Sequence, residues 1–97
     1  MATYIILLRY TPQGIKNIKD SPARIDAARK AFQAAGADFK HWFLTMGEYD
    51  AVVIAEAPND ETMAKLILSI GALGNVGTQT LRAFTEAEFR QLVAGLP

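Results

Sequence analysis

The sequence predicts an α+β fold in which four antiparallel strands and two helices follow the order βαββαβ, with one further helix at the C-terminal end. Three observations support it. Four stretches have the composition or alternation of strands, two longer stretches between them have helical apolar spacing, and one tight turn, Gly47–Asp50, separates two extended runs. In the split βαβ arrangement that this order implies, both crossover helices cover the same face of the sheet.

The first strand is predicted over Thr3–Tyr10, a nearly continuous run of β-branched, aromatic and aliphatic residues. This stretch has no basic leader and no small-residue cleavage site, so it predicts a strand and not a signal peptide. No apolar run reaches the roughly 20 residues that a membrane-spanning helix needs. We therefore expect a cytoplasmic protein without a membrane partner. Pro12 and Gly14 then predict a loop with one helical turn.

The first long helix is predicted over residues 22–35. Ser21 is expected to cap its N-terminus, Pro22 suits the first helical position, and Gly36 can adopt the left-handed conformation that ends a helix. Apolar residues at helical spacing indicate the buried face, and these are Ile25, Ala28, Phe32 and Ala35.

A hairpin follows, with strands predicted over residues 38–46 and 51–57 on either side of the Gly47–Asp50 turn. Strict alternation of side chains along the first of these strands places Phe39, His41 and Phe43 together on one face. In the turn, Asp50 is expected to accept backbone N–H bonds and Tyr49 to pack across the hairpin. The functional alternative is that this phenol and this carboxylate flank the mouth of a pocket.

The second half predicts a helix that Asn59 or Asp60 caps, and then a strand over residues 76–84. The apolar stripe of this helix is Met63, Leu66, Ile67, Ile70 and Leu73. Alternation places Thr78, Thr80 and Arg82 on one face of that strand. A capping box at Thr85-Glu86-Ala87-Glu88 then begins a C-terminal helix. We expect this helix to bury its apolar residues Phe89, Leu92 and Val93.

The sheet face that the helices leave open is predicted to be apolar, with Phe43 or Trp42, Phe84 and members of the first strand on it. Large exposed apolar faces mark interfaces. Two such sheets packed face to face across a two-fold axis close a barrel, so we expect a homodimer.

The Gly47–Asp50 turn and the predicted strands and loops around it resemble the GYD-domain family of small bacterial proteins. The name-giving element is present as Gly47-Glu48-Tyr49-Asp50, with a glutamate between the glycine and the tyrosine. The resemblance covers nearly the whole chain and is carried by Tyr10–Lys16, Ile18–Pro22, Leu44–Asp50, Glu56–Pro58, Gly74–Val76 and Thr78–Thr85. It implies a ferredoxin-like dimeric α/β barrel and no established activity. The related folds include monooxygenases, haem enzymes and isomerases, but such an analogy says little about chemistry.

Composition excludes several classes of function. The chain of 97 residues predicts a single domain, 1–97, and its ten basic and ten acidic residues give zero formal net charge without a like-charge block, so we expect no nucleic-acid partner. With no cysteine and one histidine, the sequence predicts no metal site and no cofactor.

The candidate site residues are few. His41 is the only histidine and a possible proton-transfer group, although a structural or exposed imidazole is the commoner outcome for a lone histidine. Arg82, beside the hydroxyls of Thr78 and Thr80, can hold a carboxylate or an enolate, or it can form an interfacial ion pair with Glu56.

Three functions remain open from the sequence. The first is a homodimeric barrel that binds a small molecule at the sheet face through Arg82, Thr80, Thr78, His41 and Tyr49. The second is a small cofactor-free enzyme of the monooxygenase or isomerase type, with His41 or Tyr49 transferring the proton and Arg82 stabilising an oxyanion. The third is a purely structural oligomer.

Overall fold

The computed structural model describes residues 1–97 and contains four strands and four α-helices. The predicted strands and order are confirmed, and the loop after the first strand contains a short helix followed by a 3-10 turn at Ile18–Asp20. The strands are β1 (Ala2–Tyr10), β2 (Asp38–Leu44), β3 (Ala51–Ala57) and β4 (Val76–Ala83). The helices are α1 (Pro12–Lys16), α2 (Ser21–Ala34), α3 (Asp60–Ala72) and α4 (Glu86–Ala94).

The sheet is antiparallel throughout, with the strand order β2-β3-β1-β4. β1 lies in the middle, where Ile6 is opposite Val53 of β3 on one side and Thr80 of β4 on the other. Residues directly opposite each other point to the same face of a sheet. The register of β1 therefore decides which side chains of both neighbouring strands meet the helices.

The core lies between α2, α3 and one face of the sheet. Phe32 of α2 and Met63 of α3 are almost completely buried against it. On β3 every second residue is buried, because side chains alternate between the two faces of a strand. Three of these four residues are alanines, whose small side chains let the helices approach closely. Burying a side chain such as Phe32 contributes about 2 to 3 kcal/mol relative to leaving it exposed.

A β-bulge changes the alternation along β2. The pairing with β3 shifts between Phe39 and His41, so that Lys40 is an extra residue. The expectation that Phe39 shares a face with His41 and Phe43 is therefore wrong. Phe39 lies opposite Ala55 on the helix side and meets the ring of Phe32 edge-on, with the two centroids 5.3 Å apart.

The helix ends follow most of the predictions. Gly36 has a φ of 74° and ends α2 as expected. The Asn59 side chain accepts from the Thr62 N–H at 2.8 Å, and Thr85 and Glu88 form the predicted capping box. The prediction for Ser21 is wrong: α2 begins at this residue, and its hydroxyl forms a 2.7 Å hydrogen bond with the Tyr10 hydroxyl.

The C-terminal helix α4 differs most from expectation. Phe89, Leu92 and Val93 were predicted to be buried, yet they are 58%, 52% and 47% exposed. The helix-side face of the sheet is already covered by α2 and α3, and α4 follows the edge strand β4 with few contacts to any other element. The molecule is correspondingly elongated, with extents of 52 × 31 × 18 Å.

None of the four helices is both long enough and apolar enough to cross a membrane.

Gly14 holds α1 against the loop before β4. A Cβ atom at this position would overlap the carbonyl oxygen of Asn75, which also accepts the Thr11 N–H at 3.0 Å. We expect Gly14→Ala to destabilise the protein by about 1 to 3 kcal/mol through overpacking, measured by urea denaturation. Gly71→Ala is the control, since it adds a methyl group to α3 in open space and should be neutral or stabilising. Equal stability of the two variants would contradict the close contact.

Candidate functional site

The five predicted ligand-binding residues do not lie on one face of the sheet. Thr78, Thr80 and Arg82 are opposite Leu8, Ile6 and Tyr4 of β1, on the side that the helices cover. The chain therefore does not bring its β4 candidates together with His41 and Tyr49, which lie on the open side. One chain alone therefore does not form a cavity at the open sheet face that all five residues line. A ligand-binding role for these residues stays a prediction.

Arg82 is held by neighbours at the end of β4. Its guanidinium group donates to the Thr3 carbonyl oxygen at 3.3 Å and lies 4.6 Å from the centre of the Phe84 ring. The predicted ion pair with Glu56 is absent. Because β1 separates β3 from β4, Glu56 instead contacts Lys40 of the other neighbouring strand, with the Lys40 Nζ and Glu56 Oε1 atoms 2.8 Å apart.

Tyr4 is a polar core residue that the sequence did not single out. It is almost fully buried, its ring lies 5.7 Å from the Arg82 guanidinium, and its hydroxyl donates to the Asp60 carboxylate. Burial, and then the hydrogen bond with Asp60, raise the pKa of the Tyr4 hydroxyl above its ordinary value. From the sequence, Asp60 was predicted only as a possible helix cap. Its contact with Tyr4 was not predictable, because no sequence pattern indicates that the start of α3 lies next to β1.

His41 lies on the open face of the edge strand β2. It is exposed, and its ring stacks on Phe43 with the two centroids 6.0 Å apart. Arg82 is on β4, at the opposite edge of the sheet and on the other face. A proton-transfer group at His41 and an oxyanion-stabilising group at Arg82 therefore do not converge within one chain.

Asp50 connects the hairpin turn to β1. Its carboxylate accepts the Tyr10 backbone N–H at 2.8 Å, and its own N–H donates to the Leu8 carbonyl oxygen at 2.8 Å. The expectation that Asp50 accepts N–H bonds within the turn is wrong, because the donor is Tyr10 at the end of β1. This hydrogen bond gives the Asp50 carboxylate a structural role.

Tyr49 extends from the turn across the open face. Its hydroxyl donates to the side-chain oxygen of Gln79 on β4, and the Arg9 guanidinium lies 4.7 Å from its ring centre. Arg9 also contacts Glu48 with a 2.7 Å ion pair. An exposed ion pair of this kind contributes about 0 to 1 kcal/mol to the free energy of unfolding. Together these contacts connect the turn with β1 and β4.

The open face itself is apolar at its centre. No helix of the chain covers it, and Phe43 and Leu81 are 52% and 41% exposed there. Phe84, which was expected on this face, lies beyond the end of β4 next to Arg82, and Trp42 points to the helix side. The open face also contains the side chains of Ile5, Leu7, Val52 and Ile54.

A cavity of about 230 Å³ lies on the other side of the sheet, between α2 and α3. Its wall is mostly apolar, and four hydroxyl groups, of Tyr10, Ser21, Ser69 and Thr78, are on it. Of the β4 candidates, Thr78 therefore lines a cavity, although not at the open face. No three His, Asp or Glu side chains gather to hold a metal ion.

Comparisons with known proteins identify the family. Residues 4–93 match the model of the GYD domain. The chain belongs to the GYD domain family. This GYD protein is 29% identical over 89 residues to the Thermus thermophilus "Glutamine synthetase and cystathionine beta-lyase binding protein", an alignment that covers 91% of this chain and 94% of that relative.

A solved structure supports the fold of the GYD protein. The crystal structure of TTHA0845 from Thermus thermophilus superposes with a TM-score of 0.56, covering 88% of this chain and 95% of that one, at 23% sequence identity. The resemblance inferred from the sequence and the ferredoxin-like α+β fold are both confirmed.

Thr80 offers a test of a buried polar group in the GYD protein. Its hydroxyl is buried without a hydrogen-bond partner, and an unsatisfied buried hydroxyl costs about 1 to 3 kcal/mol. We expect Thr80→Val, which keeps the shape, to raise the free energy of unfolding by about 1 kcal/mol, measured by chemical denaturation. Thr78→Val, at the cavity wall, is the matched control with a smaller expected change. A loss of stability in Thr80→Val would show that the hydroxyl has a partner.

Proposed function

We propose that this protein is a cytoplasmic adaptor without catalytic activity: a homodimer formed through the open sheet faces that binds another protein through α4. The observation that carries the proposal is the uncovered apolar surface, present both on the open face and along α4. The name of the Thermus thermophilus relative as a binding protein for two enzymes supports a protein partner.

The total exposed surface supports association. The chain exposes 6471 Å², whereas a compact monomer of its 10.6 kDa mass is expected to expose about 5,500 Å². A standard interface removes about 800 Å² from each partner. The excess of about 1,000 Å² relative to that scaling is therefore of the size that one partner of a stable complex buries.

The open face fits a second copy of the chain. A two-fold interface uses the same patch on both subunits, so the patch must be complementary to a second copy of itself. The aliphatic centre formed by β1 and β3 meets this requirement, and charged pairs such as Arg9–Glu48 and Lys40–Glu56 lie around it. This arrangement of apolar centre and polar rim is typical of protein interfaces. Face-to-face packing of two such sheets gives the expected barrel.

The adaptor role is favoured over the catalytic alternative by the positions of the candidate groups. Enzyme chemistry of the monooxygenase or isomerase type requires a proton-transfer group and an oxyanion-stabilising group near the same substrate. His41 and Tyr49 are on the open face, and Arg82 is on the helix side. The same separation removes the basis for a small-molecule site that all of them share.

The helix α4 fits a role in binding another protein. Phe89, Leu92 and Val93 lie at helical spacing on α4 and are between 47% and 58% exposed. The capping box at Thr85 and the ion pair between Arg90 and Glu86 stabilise the helix from its own residues. An amphipathic helix that presents such a stripe is suited to the apolar groove of a partner.

Leu81→Glu tests the self-association. We expect the unmodified protein to have twice the 10.6 kDa chain mass by light scattering and Leu81→Glu to have the mass of one chain, because a carboxylate would be buried without a partner. Leu68→Glu is the control, since Leu68 is 72% exposed on α3, away from the open face, and should leave the dimer intact. A monodisperse unmodified monomer, or a dimer that survives Leu81→Glu, would overturn the proposed interface.

Phe89→Glu tests the protein partner. Glutamine synthetase and cystathionine beta-lyase from the source organism are the two purified proteins to use, with binding followed by sedimentation velocity. We expect Phe89→Glu to reduce the affinity for the bound enzyme at least tenfold, a loss of about 1.4 kcal/mol, without changing the dimer mass. Gln91→Glu adds the same charge to α4 away from the apolar stripe and should bind normally.

Two results would contradict the proposed binding of another protein through α4. If neither enzyme binds the unmodified dimer, the assignment of the partner is wrong. If Phe89→Glu produces single chains, α4 contacts the second copy and not another protein.

A further inference from the structure

The cavity between α2 and α3 lies on the opposite side of the sheet from the open face and is separate from α4. Its floor is formed by β1 and β3, with Ile6 and Val53 among its residues, and its walls by Phe32 of α2 and Leu66 of α3. It therefore does not depend on the proposed dimer interface or on the proposed partner of α4.

The cavity is built from well-anchored elements. Alanines such as Ala28 face it from α2, so short side chains leave room between the helices. At one end, Tyr10 and Asn75 line the cavity, and α1 packs against both through Gly14. The Asn75 carbonyl oxygen in turn accepts the Thr11 N–H at 3.0 Å. These contacts hold the end of the cavity in place.

The lining excludes a charged ligand. Sixteen of its 21 residues are hydrophobic and none is acidic. Its single cationic residue, Arg24, already donates to the backbone oxygens of Asn17 at 3.0 Å and Gly14 at 3.4 Å. A bound anion would have to compete for donors that already hold α1, and a bound cation would find no carboxylate. The chemistry of the wall suits a neutral molecule.

A pair of hydroxyl groups on the wall can still orient such a molecule. The hydroxyls of Tyr10 and Ser21 are 2.7 Å apart, and either can donate to the other. Because each hydroxyl has one hydrogen, the pair uses one and the second is available to a ligand, together with lone pairs that can accept. Ser21 is 7% exposed, so a hydrogen bond made there is shielded from water.

The size of the cavity limits the ligand. An apolar protein cavity of about 150 Å³ accommodates benzene, so the 230 Å³ available here matches a bicyclic molecule of about nine non-hydrogen atoms by the same proportion. Phe32, Phe39 and Trp42 supply aromatic walls. We propose that this cavity binds a neutral, bicyclic aromatic molecule whose single hydroxyl or N–H group bonds to the Tyr10–Ser21 pair.

The test uses 2-naphthol as the probe and the complete protein, with binding measured by calorimetry and by the fluorescence of Trp42, the only tryptophan in the chain and a residue of the cavity wall. We expect saturable binding of 2-naphthol and none of the anionic naphthalene-2-sulfonate. Ala28→Leu, which fills the cavity, should weaken binding at least tenfold without lowering the unfolding midpoint. Ala94→Leu on α4 is the matched control and should bind normally.

Ser21→Ala tests the polar contact separately. We expect it to weaken 2-naphthol binding by about three- to tenfold, the value of one hydrogen bond, while naphthalene binds as before. No saturable binding by the unmodified protein, or equal binding by Ala28→Leu, would overturn the site. Binding that arises only when Phe89→Glu is introduced would overturn it too, because the cavity would then be occupied by α4 of a second copy.

Discussion

The register of β1 is the constraint on which the rest of the structure depends. This strand pairs with β3 and β4 at once, and side chains alternate between the two faces along it. Tyr4 and Ile6 consequently place their partners on both neighbouring strands on the helix side of the sheet, while Ile5 and Leu7 place theirs on the open face. A slip of one residue would exchange these two sets. The core, the cavity and the open face are all fixed by this single alignment.

Local signals in the sequence were sufficient for most of the fold. The cap at Asn59, the capping box at Thr85 and the glycine at Gly36 act over three or four residues, so the chain itself carries the information. The bulge at Lys40 was not predictable in this way. Alternation favours Phe39 on the open face, but burial of its ring against Phe32 outweighs that preference once the helix is in place.

The candidate site was harder to predict, because its residues come from distant parts of the chain. Thr78, Thr80 and Arg82 were correctly placed on one face of β4. Which face the helices cover depends on the alignment with β1, which composition and spacing do not specify. The pairing of Glu56 with Lys40 instead of Arg82 follows from the strand order. The residues of α4 were sufficient to predict a helix. Its exposure was not predictable, because it depends on whether the sheet and the other helices leave a surface for α4 to pack against.

The bulge in β2 also influences how copies of the chain can meet. β2 is an edge strand, and an edge with regular unpaired backbone groups is a template for adding further strands without limit. The extra residue interrupts that regular pattern, and it is a lysine whose charge would be brought close to an added strand. Growth of the sheet from this edge is thereby discouraged. In the proposed homodimer, association uses the open face instead, where two copies cover each other and no free edge is extended.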